Sequence, residues 1–300
     1  MVAQILRIAL MVIGVVSAID LFRVAARRKQ LGVNLEAVAL GAVTNFFDTL
    51  GIGSFAPTTA WLKFRKMVPD SFIPGTLNAG HSLPTVVEAL IFIVLVEIDP
   101  WLLVWCIGAA AAGAVIGAPI VVRAPVRVVQ GVVGIALVIA AGLYAMKNLS
   151  LMPGDGAALS LDAPAFAVAV AAHFVMGALM SFGIGLYAPS LIVLSLLGLN
   201  PIGAFPIMMG ACAFLQSVTG VRFIRTDRID LRVVIGIAIG GIPAVLIAAY
   251  VVKSLPLVTL RWGVVVVVLY AAVLLLRSAL KSPSAGQQVA ADAVMSDVVT

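Results

Sequence analysis

The side chains in this sequence that can carry chemistry are few, and most stand near a glycine turn. Asp48 lies just ahead of Gly51-Ile52-Gly53, with Asn45 upstream of it. A carboxyl there can carry a proton, help to hold Na⁺, or simply cap the N–H groups of the loop; left bare, it repels an anion. His81 and Glu88 are two helical turns apart, so a helix puts them on one face, either as a proton relay or as a locally satisfied pair. Asn45, Asp48, His81 and Glu88 are therefore the candidate coupling or gating residues. His173 stands alone and reads as a hydrogen-bonded structural histidine. Gln216 and Arg222 close a long apolar run, where Arg222 snorkels to the surface, and Met208-Met209 reads as packing. Two histidines with no supporting ligand pattern make a poor metal site, and the His-Glu-x-x-His, Gly-x-Ser-x-Gly and Gly-x-x-x-x-Gly-Lys signatures are absent from the sequence. These residues suggest no catalytic centre, metal or cofactor, and leave H⁺ or Na⁺ as the coupling species.

The clearest signal occurs twice. Gly51-Ile52-Gly53-Ser54-Phe55-Ala56-Pro57 returns as Gly183-Ile184-Gly185-Leu186-Tyr187-Ala188-Pro189, identical at five of seven positions, with Tyr187 standing for Phe55. Glycine breaks a helix because it tolerates positive φ, and proline suits the first turn of a new one. Each copy thus predicts a helix, an unwound loop and a helix start. A helix start carries unpaired N–H groups and about half a positive charge. Two of them meeting across a pseudo-two-fold axis make an anion site without buried Lys or Arg, with Ser54, Thr58, Thr59 and Ser190 as further donors. The candidate substrate-binding residues are Gly51, Ile52, Gly53, Ser54, Pro57, Thr58, Gly183, Ile184, Gly185, Tyr187, Pro189 and Ser190. The plainer alternative is that these glycines only let helices pack closely, as small residues do in membranes.

Such turns must be held by long apolar helices. Of the 300 residues, 63% are hydrophobic and 11% charged, and mean hydropathy is +1.19; a soluble domain is about a quarter charged. Trp101–Val122, Val233–Val252 and the much longer Ala163–Val221 carry no charge at all, against the roughly 20 apolar residues a span requires. The net charge of +6 sits in short clusters between apolar runs, the pattern of cytoplasmic loops rather than of a nucleic-acid-binding face. Cys106 and Cys212 fall inside predicted spans, which argues against a disulfide framework.

Further echoes keep nearly the offset of the glycine motif: Phe92-Ile93 with Phe223-Ile224, Pro125 with Pro256, and Gly131 with Gly263. Two repeats result, 35–148 and 163–280, joined by a linker at 149–162. An extra helix and basic loop (1–34) precede them, and a small, polar tail (281–300) with a disordered composition follows. Val16-Ser17-Ala18 loosely resembles a signal-peptide cleavage site, but Arg23, Arg27, Arg28 and Lys29 follow at once, which suits an anchored helix. Each repeat opens with an interrupted segment (Leu35–Phe64; Ala163–Gly198). Three uninterrupted segments follow: Ile73–Val96, Trp101–Val122 and Val126–Met146, then Pro201–Phe223, Val233–Val252 and Leu257–Leu276. Lys and Arg collect most strongly on one side if both interrupted segments turn back as re-entrant hairpins. Three crossings after each hairpin then invert the second repeat. The predicted fold is an all-α polytopic membrane protein of two inverted repeats, each a broken helical hairpin followed by three transmembrane helices, plus one N-terminal helix, with the substrate site at the repeat interface.

Thr44-Asn45-Phe46-Phe47-Asp48-Thr49-Leu50-Gly51-Ile52-Gly53, together with Gly183-Ile184-Gly185 and Ala188-Pro189, resembles the TauE/SafE group of sulfite and organosulfonate exporters, over residues 35–280. The resemblance implies transport of sulfite, sulfoacetate, thiosulfate or a related anion across the bacterial inner membrane. Asn45, Asp48 and the extra first helix depart from the commoner pattern. The expected protein is an anion permease working by alternating access. Its expected partners are a small anionic substrate and the lipid bilayer, not nucleic acid, with the C-terminus cytoplasmic and the oligomeric state open. The alternatives are an anion sensor or scaffold that binds without transport, and an intramembrane enzyme using His81, Glu88 and Asp48.

Overall fold

The computed structural model describes residues 2–117, 126–149, 151, 158–180, 185–226, 228–254 and 256–280. Among these residues the chain is helical, with no β-strand. The helices are α1 (Val2–Arg27), α2 (Leu35–Thr49), α3 (Phe55–Arg65), α4 (Ile73–Leu95), α5 (Pro100–Ala112), α6 (Val126–Asn148), α7 (Ala163–Met180), α8 (Tyr187–Leu196), α9 (Pro201–Ile224), α10 (Leu231–Ser254) and α11 (Leu257–Leu280). A π turn, Gly113–Gly117, prolongs α5. The end of the predicted span Trp101–Val122, half of the linker and the tail 281–300 lie outside the described residues.

Short polar side chains start these helices. Asn34 Oδ1 accepts from the Ala37 N–H at 3.1 Å to begin α2. Asp99, Asp162, Asn200 and Asp230 accept in the same way at the starts of α5, α7, α9 and α10. Each satisfies a donor that the first turn would otherwise leave open. Six helices, α1, α4, α7, α9, α10 and α11, are long and apolar enough to cross a membrane. On α1 the residues Ile5, Ile8, Val12, Val15 and Ile19 are exposed, while Leu10, Leu21 and Ala25 are buried. An outward apolar face of that length needs lipid as its solvent. This is a multi-pass membrane protein.

Both interrupted segments fold back on themselves. Glu36 at the start of α2 accepts from Arg65 Nε (2.7 Å) and Trp61 Nε1 (3.1 Å) near the end of α3, so α3 runs antiparallel to α2. Arg65 in turn holds the Glu36 carboxyl below the ordinary carboxylate range. The second hairpin is closed by backbone: Asn200 N–H donates to Ala158 C=O at 2.8 Å, and Ala158 N–H to Gly198 C=O at 3.3 Å, tying the approach to α7 to the exit from α8.

The chain forms two compact units, each taking segments from both sequence repeats. The first is Met1–Leu95 with Cys212–Ser254; the second is Val96–Ala211 with Leu255–Thr300, and the division falls within α9. In the first unit α10 packs on α2 and α4, and α1 on α4. The α2–α10 crossing is backbone to backbone: a Cβ at Gly41 would strike the Ile237 carbonyl, and one at Gly240 the Val38 carbonyl. Ala37, Leu40, Leu62, Ile73, Leu77, Val233 and Ile237 make a core beside it. In the second unit α5 packs on α7 and α6 on α11. There Gly113 abuts the Phe174 carbonyl and Gly177 the Ala110 carbonyl.

Candidate functional site

In the first unit α2 stops at Thr49 and α3 begins at Phe55, and between them Gly51 (φ 90°) and Gly53 (φ 88°) take the left-handed conformation. Gly51 N–H caps the helix on Asp48 C=O at 2.7 Å, and Ile52 N–H on Phe47 C=O at 3.1 Å. The predicted break is therefore present. A Cβ on Gly53 would meet nothing within 4 Å. Gly53 is there for its backbone conformation, not to admit a neighbouring helix.

Behind this turn lies a set of buried polar side chains from α2, α3, α4 and α9. Asn45 Nδ2 donates to Gly41 C=O at 2.7 Å, which fixes the amide and leaves Oδ1 as an acceptor. His81 Nδ1 lies 2.9 Å from that oxygen and so donates its proton there. In the neutral ring Nε2 then accepts from the Thr58 hydroxyl at 3.0 Å. Thr49 Oγ1 lies 2.8 Å from Glu88 Oε1 and 2.8 Å from Asn45 C=O. Thr85 donates to Gln216 Oε1 at 3.0 Å. The Ser54 N–H and hydroxyl both face the Asp48 carboxyl, whose Oδ2 has no partner. Asn45, Thr58, His81 and Glu88 are 0% exposed and Asp48 2%. His81 and Glu88 are thus not a pair closed on one helix face: each is held across to the α2–α3 hairpin, and Glu88 is sealed from water. Asp48 meets the loop as a cap would, with one oxygen left over.

In the second unit α7 ends at Met180 and α8 begins at Tyr187. Gly183 and Ile184 lie outside the described residues. A Cβ on Gly185 would meet nothing within 4 Å, and Tyr187, Pro189 and Ser190 are buried. His173 Nδ1 donates to Ala169 C=O at 2.8 Å, and Nε2 faces the Ser190 hydroxyl at 2.9 Å. The hydroxyl that follows each Ala-Pro, Thr58 or Ser190, is therefore bound to a histidine Nε2. Repeat-equivalent positions do not carry these histidines: Gly41 stands opposite His173, and Cys212-Ala213 opposite His81.

A hydroxyl has one hydrogen, so Thr58 and Ser190 are committed to their histidines, and Ser54 turns to Asp48. What the two helix starts still offer an anion is backbone. The first bonds within them are Thr58 N–H to Ser54 C=O and Ser190 N–H to Leu186 C=O, so the N–H groups of Phe55 and Ala56, and of Tyr187 and Ala188, have no acceptor inside their own helices. The sequence singles out Gln216 but not its partner Thr85, nor Thr49; the signal for each is a polar residue in an apolar run. Among the described residues no group of three or more His, Cys, Asp or Glu is placed to hold a metal ion.

Fold and site together define the class: a helical, multi-pass membrane protein with broken-helix hairpins of the kind transporters use. Residues 165–296, a little under half of the chain, running from within α7 through α11, match the family model described as Sulfite exporter TauE/SafE. No curated protein and no solved structure gave a significant match.

Proposed function

We propose that the protein is a permease for a small sulfur-containing anion (sulfite, a sulfonate or thiosulfate) that works by alternating access in a bacterial cytoplasmic membrane. The observation that carries this reading is the twinned hairpin: two copies of one motif, each interrupting a helix and followed by a helix start whose first N–H groups find no acceptor within that helix. Unwound backbone is tolerated at membrane depth only where protein buries it or water reaches it, and an open helix start favours a negative guest. The family match over the second hairpin supports the substrate class. With both hairpins turning back, the chain crosses three times between them, and the second repeat enters the membrane inverted. A negative interior favours expulsion of one negative charge by about 2.3 kcal/mol per 100 mV. Export of such an anion proceeds without a coupling ion; uptake requires one.

Counterflow in vesicles tests the proposal. Purified protein loaded with unlabelled sulfite, thiosulfate or a short sulfonate is expected to concentrate the labelled form of at least one transiently, above protein-free vesicles. Saturable binding with no flux for any of them would make the chain a sensor and end the permease reading.

A further inference from the structure

The hydrogen count around Thr49 leads beyond a passive anion path. Thr49 Oγ1 has two neighbours at 2.8 Å, the Asn45 carbonyl and Glu88 Oε1. The carbonyl can only accept, and the hydroxyl owns a single hydrogen. If Glu88 were ionised, both neighbours would be acceptors and one hydrogen would have to be divided between two close contacts. Both are satisfied when Glu88 is a carboxylic acid: Glu88 O–H donates to Thr49 Oγ1, and Thr49 O–H donates to Asn45 C=O. We propose that Glu88 is the proton-carrying residue of the transporter, and that the Thr49 hydroxyl couples its protonation to the Gly51–Gly53 turn. This deepens the permease reading and rests on it for the word transporter, but the proton on Glu88 can be measured without transport.

The step balances. When the site opens to water, the O–H bond of Glu88 breaks and the proton passes to water. The new carboxylate takes the Thr49 hydrogen, and Thr49 releases Asn45 C=O. That carbonyl belongs to the last turn of α2, and Thr49 is the residue at which α2 ends. A back-bond of this kind bends a helix, so losing it changes the bend of the helix end from which Gly51 and Gly53 depart. Reprotonation restores it.

Other groups around Glu88 belong to the same unit. On α4 itself His81 is held by Asn45 and Thr58. From α2 comes Asp48, whose buried Oδ2 has no partner and is a second place for a proton. From α9 comes the buried thiol of Cys212, near both carboxyls, with neutral Gln216 on Thr85. From α10, Gly241 abuts Asn45 and Pro84. The acid on α1, Asp20, is paired with Arg225. On α3, Arg65 is exposed and paired with Glu36, and Lys63 lies on the same closing stretch of that helix.

Infrared spectroscopy of the full chain in lipid vesicles at neutral pH, comparing wild type, E88Q and D48N, is the direct test. The expected result is a protonated-carboxyl C=O band in wild type and D48N that E88Q loses. A spectrum in which wild type and E88Q show no difference in that band overturns the proposal, as does a band that only D48N removes. The glutamine amide can donate to Thr49 in place of the acid, so E88Q keeps the local pattern and is expected to fold. In vesicles holding a pH-sensitive dye and given thiosulfate, sulfite or a sulfonate, wild type should move protons with substrate, and the ratio of protons to labelled substrate moved should fall in E88Q. Substrate flux with no wild-type proton signal overturns the coupling alone; no flux in either protein, with the band present, sinks the permease reading and leaves the protonated Glu88 standing.

Discussion

A neutral imidazole has one donor and one acceptor, and at both His81 and His173 each is used. The fixed acceptors are Asn45 Oδ1 and Ala169 C=O, and the hydroxyls are Thr58 and Ser190, at 3.0 and 2.9 Å. Interhelical hydrogen bonds in membranes average about 0.6 kcal/mol and reach about 1.7, whereas a buried polar group left without a partner costs about 1–3 kcal/mol. The two hydroxyl bonds should therefore show similar, modest coupling: Thr58→Val with His81→Ala, and Ser190→Ala with His173→Ala, in double-mutant cycles of unfolding in detergent, should each give about 0.6–1.7 kcal/mol. His81→Ala alone should cost more than Thr58→Val alone, because it also strips Asn45 Oδ1 of its donor. Coupling near zero in both cycles would mean that the hydroxyls are not held by the rings. His173 was legible in the sequence as a satisfied histidine. The match between the two sites was not, because the histidines come from α4 and α7, at positions that the repeat does not equate. The repeat preserves the hydroxyl after the proline, and geometry supplies the ring from a different element each time.

At the scale of elements, the glycines divide by what surrounds them. Gly41, Gly240, Gly113 and Gly177 lie where one helix backbone touches another, and an added methyl has nowhere to go. Gly53 and Gly185 have open space at the same position. The packing alternative therefore fits the helix crossings and does not fit these two motif glycines. Gly41→Ala and Gly177→Ala should each cost about 1–3 kcal/mol by overpacking, read as a lower thermal midpoint. Gly185→Ala, whose added methyl meets no neighbour within 4 Å, should stay within about 0.5 kcal/mol of wild type. If substrate approaches that backbone, the same variant should nonetheless lose at least about tenfold in flux, the equivalent of about 1.4 kcal/mol. Unaltered flux in a stably folded Gly185→Ala would remove this residue from the site. The break at Gly51–Gly53 could be read from sequence because glycine and proline act locally. The α2–α10 and α5–α7 crossings could not, since each depends on a partner glycine far along the chain.

For the molecule as a whole, the sequence reading rests on charge. Lys and Arg gather most strongly on one side if both interrupted segments return to the side they entered from. The first hairpin closes through Glu36, Trp61 and Arg65, and the second through Ala158, Gly198 and Asn200. Antiparallel closure is what a returning segment needs, although a hairpin alone does not say on which face it closes. The compact units cut across the repeats, so contacts do not recover the repeat boundaries, and side-specific labelling has to decide. Cys106 and Cys212 are buried and free and can be replaced to give a background without thiols. In that background Leu35 and Phe64, 80% and 77% exposed at the base of the first hairpin, and Leu159, 46% exposed beside the base of the second, are suitable single-cysteine sites. The proposed inverted arrangement takes α4, α5 and α6 as three crossings between Phe64 and Leu159, and so requires the two residues on opposite faces. A membrane-impermeant maleimide should label Leu35→Cys and Phe64→Cys only in inside-out vesicles, and Leu159→Cys only in right-side-out cells. Labelling of Leu35→Cys and Phe64→Cys from opposite sides would show that the first segment crosses. Labelling of Phe64→Cys and Leu159→Cys from the same side would remove the odd number of crossings, and with it the inverted relation between the two glycine turns.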